Sequence, residues 1–261
     1  MTLADPDRIP GLSPSGYDRL GEFHDLFVDE ARLRLRPAFE SAFGRLEPSA
    51  VVLDLGAGTG LGVRHLARAT RARIVAVEPS VTMRAVLLAR VADDPALASR
   101  VTVVAGSVPG AFDELPDVVA GFVCAHMLGH VGPADRARTF ALLAERLADG
   151  GVGVVTVNAT AEPRSEVAVE ERRIGEHSYI AKYLPPGPDG RPSSEYEVRD
   201  ADGSLLRAER FAGQWTPITA EGLRAELVND GWRLTAQDRA ATVLVLSRER
   251  EDDSLASSQA R

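Results

Sequence analysis

The chain has 261 residues, 44% of them hydrophobic and 26% charged, with 23 glycines, 16 prolines and one cysteine, a balance that excludes disordered and collagen-like classes. Thirty basic against 38 acidic residues leave a net charge of -8, without the positive footprint that grips a phosphate backbone, so no nucleic-acid partner is expected. Cys124 alone cannot form an intramolecular disulfide, and no Cys/His cluster has the spacing of a zinc site.

Residues 1–14 are rich in Pro, Gly and Asp and read as an extended lead-in. Around Asp5, Asp7 and Arg8 there is no apolar core of a signal peptide, and no apolar run approaches the roughly 20 residues of a membrane span. A reducing, cytoplasmic compartment without membrane partners is the expectation. From Ser15 the apolar positions Leu20, Phe23, Phe27, Leu33, Leu35, Phe39, Phe43 and Leu46 recur at steps of three and four, the pattern of one or two amphipathic helices.

The period then changes. Val51 to Leu55 is a short apolar run ending in glycines, and Leu61 to Ala69 reads as a helix. The alternation repeats with a strand at Ile74–Val77 and a helix over about 80–91 capped by Ser80. Strands at Val101–Ala105 and Val118–Cys124 follow. A helix opens at Gly132-Pro133 and stops at Gly150-Gly151, and a fifth strand spans Val152–Val157. Apolar strands alternating with helices predict a doubly wound, mostly parallel sheet covered on both faces.

Residues 159–216 break the pattern with alternating stretches at His177–Leu184, Glu195–Arg199 and Leu205–Phe211, the last two joined by Asp202-Gly203. They read as an antiparallel β insertion, preceded by a short helix over Ser165–Arg173. Thr219 then caps a helix ending near Gly231, and Trp232–Gln237 with Ala241–Ser247 forms a closing hairpin through Asp238-Arg239. The last residues, from 249, read as a disordered tail.

The chemically informative segment is Asp54-Leu55-Gly56-Ala57-Gly58-Thr59-Gly60, at the mouth of the first strand, where a doubly wound sheet binds ligands. A dinucleotide fingerprint needs glycines at i, i+2 and i+5, but that third position is Leu61 counted from Gly56 and Val63 counted from Gly58. No G-x-x-x-x-G-K-[ST] occurs either, which excludes a nucleoside triphosphate loop of that kind. Glu78 lies some 20 residues past the glycines, where the ribose-binding acid of a βαβ nucleotide site is expected.

The segment resembles the first motif of class I S-adenosylmethionine-dependent methyltransferases, an acidic residue two before G-x-G-x-G. The resemblance covers roughly residues 48–158 by motif and 217–248 in architecture only. It implies a seven-stranded Rossmann-like sheet with N-terminal helices. Divided on that basis, the chain has an N-terminal helical lid (1–47), a cofactor-binding core (48–158), the β insertion (159–216), a helix and hairpin completing the core (217–248) and the tail (249–261). The resemblance implies S-adenosylmethionine as cofactor and S-adenosylhomocysteine as product, with Glu78 accepting from the ribose hydroxyls. Pro79, Ser80 and Met83 extend the pattern, Met83 packing on the adenine. Gly106-Ser107-Val108 stands where many members have Gly-Asp-Ala, so Ser107 replaces the aspartate that holds the adenine amino group.

Ala125-His126-Met127-Leu128-Gly129-His130 is similar to the family's His-x-Leu-x-His segment beside the sulfonium. His126 is the candidate base, with His130 behind it; the competing reading of His126 is a turn cap. Tyr17 resembles a lid tyrosine that closes over the cofactor, against simple packing. In the insertion His177, Tyr179 and Tyr183 share one face of a strand, and Trp215 follows. That aromatic face is the ceiling of a substrate pocket, the core of the hairpin sheet or a homodimer interface. Cys124 reads as a small buried residue, and Lys182, the single lysine, is where any Schiff-base chemistry would fall.

The expected activity is methyl transfer to O, N or C of a small molecule, such as a secondary metabolite or its precursor. Two alternatives stand beside it: an enzyme that keeps the cofactor but catalyses cyclisation or decarboxylation, and a non-catalytic cofactor-binding partner.

Overall fold

The computed structural model describes residues 17–188, 193–212, 215–240 and 242–248, so the expected lead-in and tail lie outside the described residues. Strands apolar on both faces must be covered on both sides. Strand β1 (Val51–Leu55) is buried at every position: Val51, Leu53 and Leu55 enter one core layer and Val52 the other. With β2 (Arg73–Glu78), β3 (Val101–Ala105), β4 (Val119–Cys124) and β5 (Leu147–Thr156) it forms a parallel sheet. The hairpin of β10 (Trp232–Ala236) and β11 (Val243–Arg248) adds antiparallel to β5, giving seven strands in the order β3-β2-β1-β4-β5-β11-β10. Asp238 closes that hairpin by accepting the N–H groups of Thr242 and Val243.

The N-terminal periodicity resolves into two helices, α1 (Tyr17–Leu33) and α2 (Arg36–Phe43), with Pro37 in the first turn of the second. Helices α2, α3 (Leu61–Ala69) and α4 (Val81–Ala92) cover one face through Phe39, Phe43, Leu66 and Leu87. The short α5 (Pro95–Ala98) follows. On the other face, α6 (Pro133–Arg146) and α7 (Ala220–Leu227) pack Phe140, Leu143, Leu223 and Leu227 against Leu53 and Phe122. The Phe122 ring meets Phe140 and Trp232 edge-on, with centroids 6.3 and 5.7 Å apart.

Two elements differ from the sequence reading. Helix α6 ends at Arg146, short of Gly150-Gly151, because Leu147 already pairs with Val119 across β4 and β5. The expected helix over 165–173 is instead a strand, β6 (Ala168–Ile174). Gly175, at φ 60°, turns the chain so that Ile174 pairs with His177 of β7 (His177–Leu184). The run Glu170-Glu171-Arg172-Arg173 favours a helix only in isolation, and cross-strand pairing overrides it. With β8 (Ser193–Arg199) and β9 (Leu205–Ala212) these strands form a second, antiparallel sheet. One of its faces carries Tyr179, Ala181, Tyr183, Tyr196, Val198 and Phe211, and packs on Phe23 and Phe27 of α1.

The main core leaves no slack where β4 meets β5. A Cβ on Gly153 would lie 2.1 Å from Cζ of Phe122. Gly153→Ala is therefore predicted to cost about 1–3 kcal/mol of stability by overpacking. In urea unfolding the midpoint should fall with little change in slope, and an unchanged midpoint would contradict this packing.

Candidate functional site

The strand order reverses between β1 and β4, so the loops leaving their carboxyl ends part and open a crevice. One lip is the glycine turn. Gly56, Gly58 and Gly60 have φ values of 74°, 58° and 84°, a left-handed conformation that costs side-chain-bearing residues about 1–2 kcal/mol each. Space is as tight as conformation: a Cβ on Gly56 would lie 2.8 Å from Cβ of Met127, and one on Gly60 2.6 Å from Leu87. The amides of Gly56 and Ala57 both donate to the Val77 carbonyl, at 2.9 and 3.0 Å, tying the turn to β2. Asp54, two residues before the turn, is 4% exposed.

Glu78, at the end of β2 and 6% exposed, braces this lip. Its Oε2 accepts the Gly58 N–H and its Oε1 the Ser80 N–H, each at 2.8 Å. One carboxylate thus ties the glycine turn to the start of α4. Ser80 caps α4 as expected, its Oγ accepting the Met83 N–H at 3.3 Å. Pro79 is half-buried and Met83 buried, and Arg84 donates to the carbonyls of Glu78 and Pro79. After β3, Gly106 abuts Ala111, Ser107 is exposed and Val108 is half-buried against the core.

The opposite lip follows β4. Ala125 is half-buried, and His126 is exposed with φ 56°, the one non-glycine residue at positive φ among those described. Its amide donates to Thr156 Oγ1 at 2.7 Å, holding the strained residue against the end of β5. Leu128, Gly129, Thr156, Asn158 and Trp215 join His126 around a small cleft of about 30 Å³. Trp215 lies on bare Gly129, where a Cβ would come within 2.6 Å of the indole, and its ring meets exposed His130 edge-on at 4.7 Å.

Asn158 and Arg136 were missed by the sequence reading. Asn158 Oδ1 accepts the Ile218 N–H at 3.1 Å and anchors the wall carrying Trp215. Its position just past β5, a strand of the crevice, was the available signal. Arg136, 3% exposed, donates to the carbonyls of Leu128 and Val131 and to both carboxylate oxygens of Glu226 on α7. It holds the 128–131 segment in place, and no local motif marks it.

Other expected site residues lie elsewhere. Tyr17 opens α1, and its side chain lies outside the described residues. Tyr179 and Tyr183 sit in the apolar cluster with Phe23, where burial pushes the Tyr183 hydroxyl pKa up. His177 is exposed beside the β6–β7 turn. Lys182 is ion-paired with Glu197. Cys124 is fully buried, and burial, together with the nearby Asp54 charge, pushes its thiol pKa up, so it remains a neutral core residue. Among the described residues no group of three or more His, Cys, Asp and Glu side chains could hold a metal, and no helix is long and apolar enough to cross a membrane.

Residues 52–151 match the methyltransferase domain family. No protein of curated function matches the sequence. Among solved structures the chain is similar to CalS10, an amino pentose methyltransferase from Micromonospora echinaspora. The identity is 18% and the TM-score 0.66, over 93% of this chain and 100% of that one. DesVI of Streptomyces venezuelae aligns at 16% identity and TM-score 0.66 over 87% and 97% of the two chains. The sugar N-methyltransferase KedS8 of Streptoalloteichus sp. aligns at 21% and 0.62 over 96% and 99%. S-adenosylmethionine brings a vicinal diol, an ammonium group and no pyrophosphate. The residues present fit it, with buried acceptors at Glu78 and Asp54 and a turn bare of side chains at Gly56, Gly58 and Gly60. Over residues 52–151 the chain is thus similar to the methyltransferase domain family, and its fold is that of the solved S-adenosylmethionine-dependent methyltransferases.

Proposed function

We propose that the protein transfers a methyl group to a nitrogen or oxygen of a polar small molecule, of the natural-product kind, seated in the cleft beside His126. One observation carries this reading. Across a single crevice, a glycine turn braced by a buried carboxylate faces an exposed imidazole on a strained backbone, the two lips meeting at Gly56 and Met127. The amino pentose and sugar N-methyltransferases that share the fold point to acceptors of the same polar, small-molecule class.

When bound, the cofactor supplies an electrophilic methyl group on a sulfonium. The chain supplies position. Glu78 would hold the ribose hydroxyls, Asp54 would face the ammonium end, and Met83, Ser107 and Val108 would surround the adenine. Trp215 and Asn158 orient the acceptor, so that proximity and alignment carry much of the rate. A neutral amine needs little more. For a hydroxyl acceptor, His126 Nδ1 or Nε2 takes the proton as the oxygen attacks, which imidazole can do near neutral pH.

Glu78→Ala is predicted to weaken S-adenosylhomocysteine binding by about 1–3 kcal/mol in calorimetric titration, the scale of hydrogen bonds to a charged acceptor. Unchanged affinity would remove Glu78 from the cofactor site. His126→Gly should separate chemistry from folding. With a hydroxyl acceptor it should lower kcat roughly 100-fold or more, while relief of the left-handed strain leaves stability unchanged or raised by up to about 1 kcal/mol. An undiminished kcat would make His126 a turn residue only.

A further inference from the structure

Helix α1 is held between the glycine turn and the antiparallel sheet, by different chemistry on each side. Toward the turn the contacts are polar. Asp25 Oδ1 accepts the hydroxyl of Thr59 at 2.5 Å, and its Oδ2 accepts from the Arg90 guanidinium on α4. Arg90 Nη1 donates in turn to the Thr59 carbonyl at 2.7 Å. Thr59 stands between Gly58 and Gly60 and is fully buried, and its hydroxyl and carbonyl are both committed to this triad. A few residues away α1 touches α4 so closely that a Cβ on Gly21 would lie 2.6 Å from Thr82.

Toward the sheet the contacts are aromatic. Phe23 stacks on Tyr196 at 5.0 Å and meets Tyr179 edge-on at 6.4 Å, and Phe27 lies 6.0 Å from Tyr196. Glu22 pairs with Arg207 of β9, whose guanidinium also sits 5.7 Å from the centre of the Phe23 ring. Residues 21–27 therefore meet both parts of the molecule within two turns of one helix.

We infer that the Asp25–Thr59–Arg90 triad is a latch that fastens α1 to the glycine turn and, through Phe23, couples the four-stranded sheet to the cofactor site. Asp25 is a positioning residue: it acts on the cofactor through Thr59, whose flanking glycines form the turn. Burial alone would push the Asp25 carboxyl pKa up, but hydrogen bonds from His24, Thr59 and Arg90 and the Arg90 charge outweigh it and hold the group well below the usual carboxylate range. The latch is therefore ionised and closed at neutral pH.

The test uses the full chain and two readouts, S-adenosylhomocysteine affinity by calorimetry and hydrogen exchange of α1 and β7 in the ligand-free protein. Asp25→Ala should weaken affinity at least 10-fold and raise deuterium uptake in both α1 and β7. Thr59→Ser, which keeps the hydroxyl, should leave both readouts near wild type, whereas Thr59→Ala should reproduce the Asp25 effect. The Thr59 pair decides the matter if Asp25→Ala does not fold. Affinities within two-fold of wild type for the folded alanine variants would overturn the latch. Raised uptake confined to α1 would overturn the coupling to the sheet. Failure of the wild-type protein to bind S-adenosylhomocysteine would instead overturn the cofactor assignment, and the exchange readout would still decide the latch.

Discussion

The buried carboxylate of Glu78 is the interaction on which the site's geometry depends. A carboxylate removed from water is tolerated only where donors meet it, and here the donors are backbone amides of two different loops, those of Gly58 and Ser80. Charge-assisted bonds of this kind set the distance between the glycine turn and the first turn of α4. The positive φ values on one side and the Ser80 cap on the other then follow from one fixed point. A carboxylate offers about four lone-pair directions, so the chemistry that braces the two loops is also the chemistry that suits a ligand diol.

Strain is concentrated on the other lip as well. His126 holds a left-handed backbone that a glycine would adopt freely, and Thr156 and the Arg136–Glu226 pair fasten the segment around it. Buried polar anchors of this kind rigidify a loop without adding apolar bulk, and they fix the wall of the small cleft lined by Trp215 and Asn158. The two lips differ in their support. The glycine lip rests on backbone geometry braced by one side chain, Glu78, whereas the His126 lip rests on side chains drawn from β5, α6, α7 and the segment after the insertion. Function on a shared fold lies in such sites and not in the fold itself.

Legibility in the sequence follows the same division. The limits of α3, the strand at 101–105 and the Ser80 cap can be read directly, because a change of hydrophobic period and punctuating glycines are local signals. Glu78 could be placed for the same reason: its distance from the glycines is one crossover unit. Strand β6 could not, since its Glu-Glu-Arg-Arg run has no local β signal and gains its conformation only by pairing with β7. Nor could the triad on α1, whose partners stand 34 and 65 positions from Asp25, or the Arg136 clamp, whose partner is 90 positions away. The aromatic face of the insertion was visible as a stripe, but that it packs on Phe23 depended on where α1 docks.

A crystal structure of the protein with S-adenosylhomocysteine is the most direct test of this site. The ribose hydroxyls should lie on Glu78, the homocysteine end over the 56–60 turn near Asp54, and the sulfur should face the cleft between His126 and Trp215. A ribose away from Glu78, or a sulfur directed away from that cleft, would contradict it.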